Sequence, residues 1–353
     1  MRQDTDPLPK YAAPMESIHC VHEALTHQGL NIPLSHLMVV SGEPFRISYN
    51  PDNPEHSPHT VFHNPLRTVC RVLGLKHQLY YDENYQTAWN RLYQNLNEGK
   101  VALIPFDSGH PFFAASETPG QVIGQNGYTI TFDKSQLSHK WLSIDGFYEL
   151  GLDGYYQFLI EDRNRLPDHR ETAYGVFRLA RKLMHLRRKV SGGAMGTEAY
   201  FALAGHIQNS LKKEWDDAQQ DFDRILKWGQ IPLSQILEGK EMVIEYLQSI
   251  RNTFEDRELA LFDDAILIYQ QMISLLRTLK INFQFSTNLL QTLSESETDS
   301  PSFSQSISRR FRQRRFLQSL KACQKLVLAI STIETNAIDK FTSIVRLSEK
   351  LKI

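Results

Sequence analysis

The stretch MESIHCVHEALTHQGL, residues 15–30, decides how the N-terminal half of the chain is read. Ile18, Val21, Ala24 and Leu25 recur at spacings of three and four, which puts them on one face of a helix. Ser17 is a capping residue type and Gly29 a terminating one, so the pattern predicts a helix over 17–29. Cys20 then falls in the first turn, where unpaired amides and about half a positive charge stabilise a thiolate. Two readings stand side by side: Cys20 is a nucleophile, or it is a small apolar residue packed in a core. His19 and His22 share its helix and cannot both reach it as bases. A nucleophile would therefore need an imidazole from elsewhere in the fold, and a carboxylate to fix the tautomer of that ring.

Outward from this helix, residues 1–16 carry Pro7, Pro9 and Pro14 and read as an irregular arm. On the other side, SGEPFRISYNPDNPEHSPH (41–59) is rich in turn formers and predicts loops. Short helices are expected over 65–75 and 86–100. Five β-prone runs follow, at 101–107, 110–116, 120–124, 128–133 and 146–152, and predict an antiparallel sheet. Beyond about Tyr155 the periodicity is helical, with SGGAMG (191–196) as a breaker between helices over 171–188 and 197–211. SESETDSPSFSQSIS (294–308) reads as a serine-rich linker. A last helix carries the stripe Leu320, Cys323, Val327, Ile330, Ala337, Phe341, Ile344. The expected organisation is an arm (1–16), an α+β domain (17–155), a helical domain (156–293), a linker (294–308) and a basic C-terminal helix (309–353).

With 353 residues, 41% hydrophobic and 22% charged, the chain has the balance of a globular protein of two domains. A net charge of −1 excludes global attraction to nucleic acid or anionic membrane. Cys20, Cys70 and Cys323 form neither a disulfide framework nor a zinc pattern, which points to a reducing cytoplasm, and no run of eighteen apolar residues predicts a membrane span. His56, His59 and His63 are close in sequence, but Pro58 prevents the helix that would align them, so no metal site is expected. GGAMGT (192–197) lacks the lysine of a phosphate loop and reads as a turn. RRFRQRR (309–315) is the strongest charge feature. It reads first as a solvated helix end, and otherwise as a dock for an acidic carrier protein or a nucleic acid.

The run HCVHEALTHQGLNIPLSHLMVVSGEPFRI, with GKVALIPFD (99–107) and GQVIGQNGYTITFD (120–133), resembles the N-terminal domain of the butirosin biosynthesis protein H type. GTEAYFALAGHI (196–207) is similar to a helix of the helical region that commonly follows it. The resemblance implies a papain-like α+β fold related to bacteriocin-leader peptidases, and acyl transfer from a carrier-protein thioester to an amine. On that footing Cys20 is the nucleophile, His110 the base and Asp133 the orienting carboxylate. Ser41, Glu43 and Arg46 of the SGEPFR loop would meet the substrate, a small-molecule acyl acceptor, with no metal or other cofactor. Two positions depart from the family pattern: ETPGQVIGQNG (117–127) has no histidine, so His110 stands in for it, and Pro14 occupies the neighbourhood where the family carries a glutamine. The alternative is a catalytically degenerate scaffold that binds partners through its helical C-terminal region.

Overall fold

A computed structural model describes residues 13–27, 29–52, 54, 65–98, 101–104, 113–115, 121–123, 129–131, 154–160, 168–185, 193–295 and 303–351. The chain divides into two units, and the division is not sequential. Residues 1–43 and 61–172 form the first; residues 44–60 and 173–353 form the second. The predicted boundary near 155 thus moves to 172, and 44–60, expected within the α+β domain, belongs to the helical unit.

The first unit is α+β. Its helices are α1 (Ala13–His27), α2 (Leu34–Ser41), α3 (Pro65–Val72) and α4 (Tyr85–Asn97). Its strands β2 (His77–Asp82), β3 (Val101–Ile104), β4 (Phe113–Ala115), β5 (Gln121–Ile123), β6 (Thr129–Thr131) and β7 (Tyr155–Ile160) make one antiparallel sheet, ordered β2-β7-β3-β4-β5-β6. The strand β7 lies between β2 and β3, pairing Tyr80 with Gln157 on one side and Leu103 with Phe158 on the other. The period-two alternation sends Ala102, Ile104 and Leu159 to the face where Ala88 and Leu92 of α4 pack, with Tyr80, Tyr85, Trp89 and Tyr155 around them. Gln157 is buried on that face and donates to the Ala88 carbonyl at 3.2 Å, which fixes α4 along the sheet. Asp82 accepts two bonds from Arg91 at 2.9 and 3.0 Å, closing the β2–α4 turn. The helix α1 packs against α2, α3, β3 and β4.

The second unit is a helical bundle of α5 (His169–Met184, which begins in the first unit), α6 (Thr197–Ser210), α7 (Trp215–Trp228), α8 (Ile231–Ile250), α9 (Asp256–Glu295) and α10 (Phe303–Leu351). Its only strands among the described residues are β1 (Ser48–Tyr49) and β8 (Ala194–Met195), which pair with each other. The breaker SGGAMG therefore holds a strand residue pair as well as Gly196, whose φ of +60° starts α6. At 1.5 Å per residue, α9 and α10 are about 60 and 74 Å long. They run antiparallel: Ser286 meets Ser319 at 2.9 Å and Lys340 meets Asp264 at 2.6 Å. The last helix begins at Phe303, so most of the predicted linker and all of RRFRQRR lie within it or at the end of α9. Phe177 stacks on Phe341 at 4.4 Å between ring centroids, and Phe262, Tyr269 and Phe45 close on the same two rings.

Candidate functional site

Cys20 sits on the buried face of α1 with Ile18, Val21, Ala24 and Leu25, only 2% exposed. The helix starts at Ala13 and not at Ser17, so Cys20 lies two turns inside it. The dipole acts within the first turn, and the predicted activation by unpaired amides is corrected accordingly: it does not reach this thiol. Burial lowers the pKa of the neighbouring His19, with His22 adding to the effect, which keeps that ring neutral. Cys70 and Cys323 are both buried, and burial pushes their thiols up to about 12. They pack as small hydrophobes.

His110 and Asp133 lie outside the described residues, as do His56, His59 and His63. In sequence, His110 falls between two described strands. It belongs to the segment 105–112 that joins β3 to β4, the two strands against which α1 packs. Ser41 ends α2 and is fully buried. Its Oγ donates to the Met38 carbonyl at 2.6 Å and accepts the Glu43 N–H at 3.2 Å, across a left-handed Gly42 with φ +84°. Ser41 therefore spends its hydroxyl on the turn. Arg46 is 6% exposed and belongs to the second unit, while Glu43 opens a 3-10 turn over Glu43–Phe45 and is half-buried. Of the three residues expected to meet a substrate, Glu43 alone keeps substantial exposure.

The second unit holds a polar centre that apolar periodicity alone passes over. Lys240 and Glu334 are both 0% exposed and form an ion pair. Lys240 Nζ also donates to the Pro44 carbonyl at 2.6 Å, and the Tyr200 hydroxyl donates to the other Glu334 oxygen at 2.6 Å. The ammonium stands 5.6 Å from the Phe45 ring centroid and 6.0 Å from that of Tyr269. Burial lowers the Lys240 pKa, and Glu334 opposes that shift. Burial and then the Glu334 charge raise Tyr200 and Tyr269 far above the ordinary phenol, so both stay protonated. Gly239 makes the approach possible, since a Cβ there would meet Pro44 at 3.2 Å. With no exposed atom at its centre, this cluster anchors residues 44–49 to α6, α8 and α10.

A second, half-buried polar relay holds Tyr49 at the end of that segment. The Tyr49 hydroxyl is hydrogen-bonded to His206 Nδ1, and His206 Nε2 lies 3.6 Å from Asp221, which also accepts from Lys213 at 2.6 Å and Ser210 at 3.1 Å. Neutral His206 protonated on Nε2 satisfies both neighbours: it accepts from Tyr49 and donates to Asp221. Burial lowers its pKa against the opposing pull of Asp221.

Among the described residues, no three His, Cys, Asp or Glu side chains are grouped so as to hold a metal ion. Compared with models of known protein families and with curated proteins, the sequence finds no match.

Proposed function

We propose that the first unit is a papain-like cysteine catalyst that moves an acyl group onto an amine of a small metabolite. The observation that carries this reading is the packing of α1, with Cys20, against β3 and β4, whose joining segment carries His110. In the proposed reaction, His110 takes the Cys20 proton and the thiolate attacks the carbonyl of a donor thioester, such as an acyl-carrier protein. The donor sulfur leaves as a thiol with the proton from His110. The amine then attacks the Cys20 thioester, gives up an N–H proton to His110 as the amide forms, and His110 passes that proton to the departing Cys20 thiolate. Asp133 holds the imidazole in the correct tautomer. Because Cys20 lies two turns into its helix, activation rests on the imidazole alone. Acyl transfer of this kind uses no metal or other cofactor, and three free cysteines suit a reducing, cytoplasmic setting.

Alkylation across a pH series tests the reading, with modified residues identified by peptide mass. Cys20 should react at a pH well below that needed by Cys70 and Cys323, whose thiols titrate near 12. An acyl thioester should add its acyl mass to the wild type and nothing to Cys20→Ala. Labelling of Cys20 no faster than the other two, with no acyl adduct, would refute catalysis and leave the first unit as a binding scaffold.

A further inference from the structure

The outer half of the α9–α10 hairpin is chemically one-sided. Over residues 265–333 nine Lys or Arg stand against three acids, Glu295, Glu297 and Asp299, all between Ser294 and Phe303 in sequence. Six of the eight large hydrophobic side chains exposed among the described residues are on these two helices. Four of them stand in two pairs that make up the candidate patch: Ile281 is 65% exposed and Phe285, one turn on, 39%; Ile307 is 55% exposed and Phe311, one turn on, 61%. Arg315 joins the two helices there, its guanidinium 5.4 Å from the Phe285 ring centroid and 5.9 Å from that of Phe311. Arg310 and Arg314 are exposed on α10 beside it. Arg277 pairs with Glu241 at 2.7 Å, and Arg309 shares a groove with Asp223, so neither is counted in the patch.

We infer that this end of the hairpin docks on the surface of an anionic phospholipid bilayer, with Ile281, Phe285, Ile307 and Phe311 entering the headgroup layer and Arg310, Arg314 and Arg315 meeting lipid phosphates. Interfacial binding needs apolar side chains and cations on one face, and Ile307, Arg310, Phe311, Arg314 and Arg315, spaced by three and four on α10, supply both, with cations outnumbering acids nine to three over 265–333. A second copy of the chain is the poorer occupant, because a two-fold interface would set like charges against each other. Nucleic acid would satisfy the arginines but has no use for two exposed isoleucines. The inference requires no catalytic cysteine and stands or falls separately from the proposed acyl transfer.

Co-sedimentation of the full-length protein with vesicles tests it. The protein should pellet with phosphatidylcholine vesicles containing phosphatidylglycerol and stay soluble with phosphatidylcholine alone, with binding weakened by salt. Each of Arg310→Gln, Arg314→Gln and Arg315→Gln should weaken binding about fivefold, the effect of removing one cation near such a surface. Ile307→Ser with Phe311→Ser should weaken it further at unchanged charge, with helicity by circular dichroism equal to wild type. Equal binding to both vesicle types would overturn the inference. So would insensitivity to the Ser pair, or a failure to bind lipid while polyglutamate or single-stranded DNA is bound with the same salt dependence, which would assign the patch to a macromolecular polyanion.

Discussion

Replacing Lys240 by methionine isolates the anchor of residues 44–49. Methionine matches the length of the lysine stem, so the change removes chiefly the ammonium. Three interactions go with it: the pair with Glu334, the bond to the Pro44 carbonyl, and the cation's place between the Phe45 and Tyr269 rings. What remains is a fully buried carboxylate whose described hydrogen-bond partner is the Tyr200 hydroxyl. Removing one member of a buried ion pair costs about 3–5 kcal/mol. In a unit of roughly 200 residues this lowers Tm by roughly 6–20 °C, at 2–4 °C per kcal/mol. The second half of the cycle carries the argument. In Lys240→Met with Glu334→Leu no charge is left buried, and adding Tyr200→Phe removes the hydroxyl that has lost its acceptor. The triple variant should therefore be more stable than Lys240→Met alone, although it has lost more hydrogen bonds. Urea titration followed by far-ultraviolet circular dichroism, a signal dominated by the helical unit, reads all the variants. A single-variant cost below about 1 kcal/mol, or strict additivity across the cycle, would refute the reasoning that the pair is held by mutual compensation.

Glycine substitutions separate backbone conformation from crowding. Gly29 has φ +76° with open space where a Cβ would stand, so Gly29→Ala should cost only the left-handed strain of about 1–2 kcal/mol. Gly196 has φ +60°, and a Cβ there would collide with the Met184 carbonyl group, so Gly196→Ala should cost clearly more in the same urea assay. The folded pKa of His206 is lowered below 6.5, so the unfolded chain binds the proton more readily; stability is complete above 6.5 and is lost as pH falls through the window beneath it. His206→Gln should flatten that slope. His19 is shifted in the same direction in the first unit, so the readout is hydrogen exchange on α6 peptides, which a change at α1 would not explain. Asp221 is also depressed below 3.8: burial opposes the shift, and bonds from Lys213 and Ser210 outweigh it, so its contribution disappears at still lower pH.

Much of the fold is legible because it follows from period. The apolar spacing of Leu320, Cys323, Val327 and Ile330 forecasts α10, and the short alternating runs forecast β3 to β6. Three of the elements that escape that signal do so for local reasons. Leu34–Ser41 forms α2 although LSHLMVVS is apolar almost throughout and has no polar face to mark a period. HQLYYD forms β2, half-exposed along most of its length, and carries no clear alternation. YYQFLI forms β7 with four consecutive buried residues from Gln157, as a strand covered on both faces does, and periodicity cannot separate that from a buried helix segment. The reassignment of 44–60 to the helical unit is a tertiary fact: the bonds that hold it come from Lys240, Trp228 and His206, some 150 to 200 positions away.

The buried ion pair shows how far a one-helix view can reach. In α10 the apolar stripe steps from Ile330 to Ala337, and the residue in the missing slot is Glu334. In α8 the stripe Leu233, Ile236, Val243, Leu247 and Ile250 has the same gap, filled by Lys240. A charge standing at an apolar position in one helix reads as a flaw in the pattern. Opposite charges standing at apolar positions in two helices read as a pair, since each supplies what the other needs to be buried. That signal is present in the sequence and could have placed α8 beside α10. No such complement marks Cys20: its stripe in α1 is unbroken by charge, and the groups proposed to activate it, His110 and Asp133, stand in short strand-rich segments where period two says which face a residue takes but not which helix it meets. The chemistry proposed for the first unit therefore depends on a meeting between α1 and the β3–β4 connection, and labelling of Cys20 reports on that meeting directly: a thiol held near an imidazole reacts early in the pH series, whereas a thiol that only packs behaves like Cys70 and Cys323.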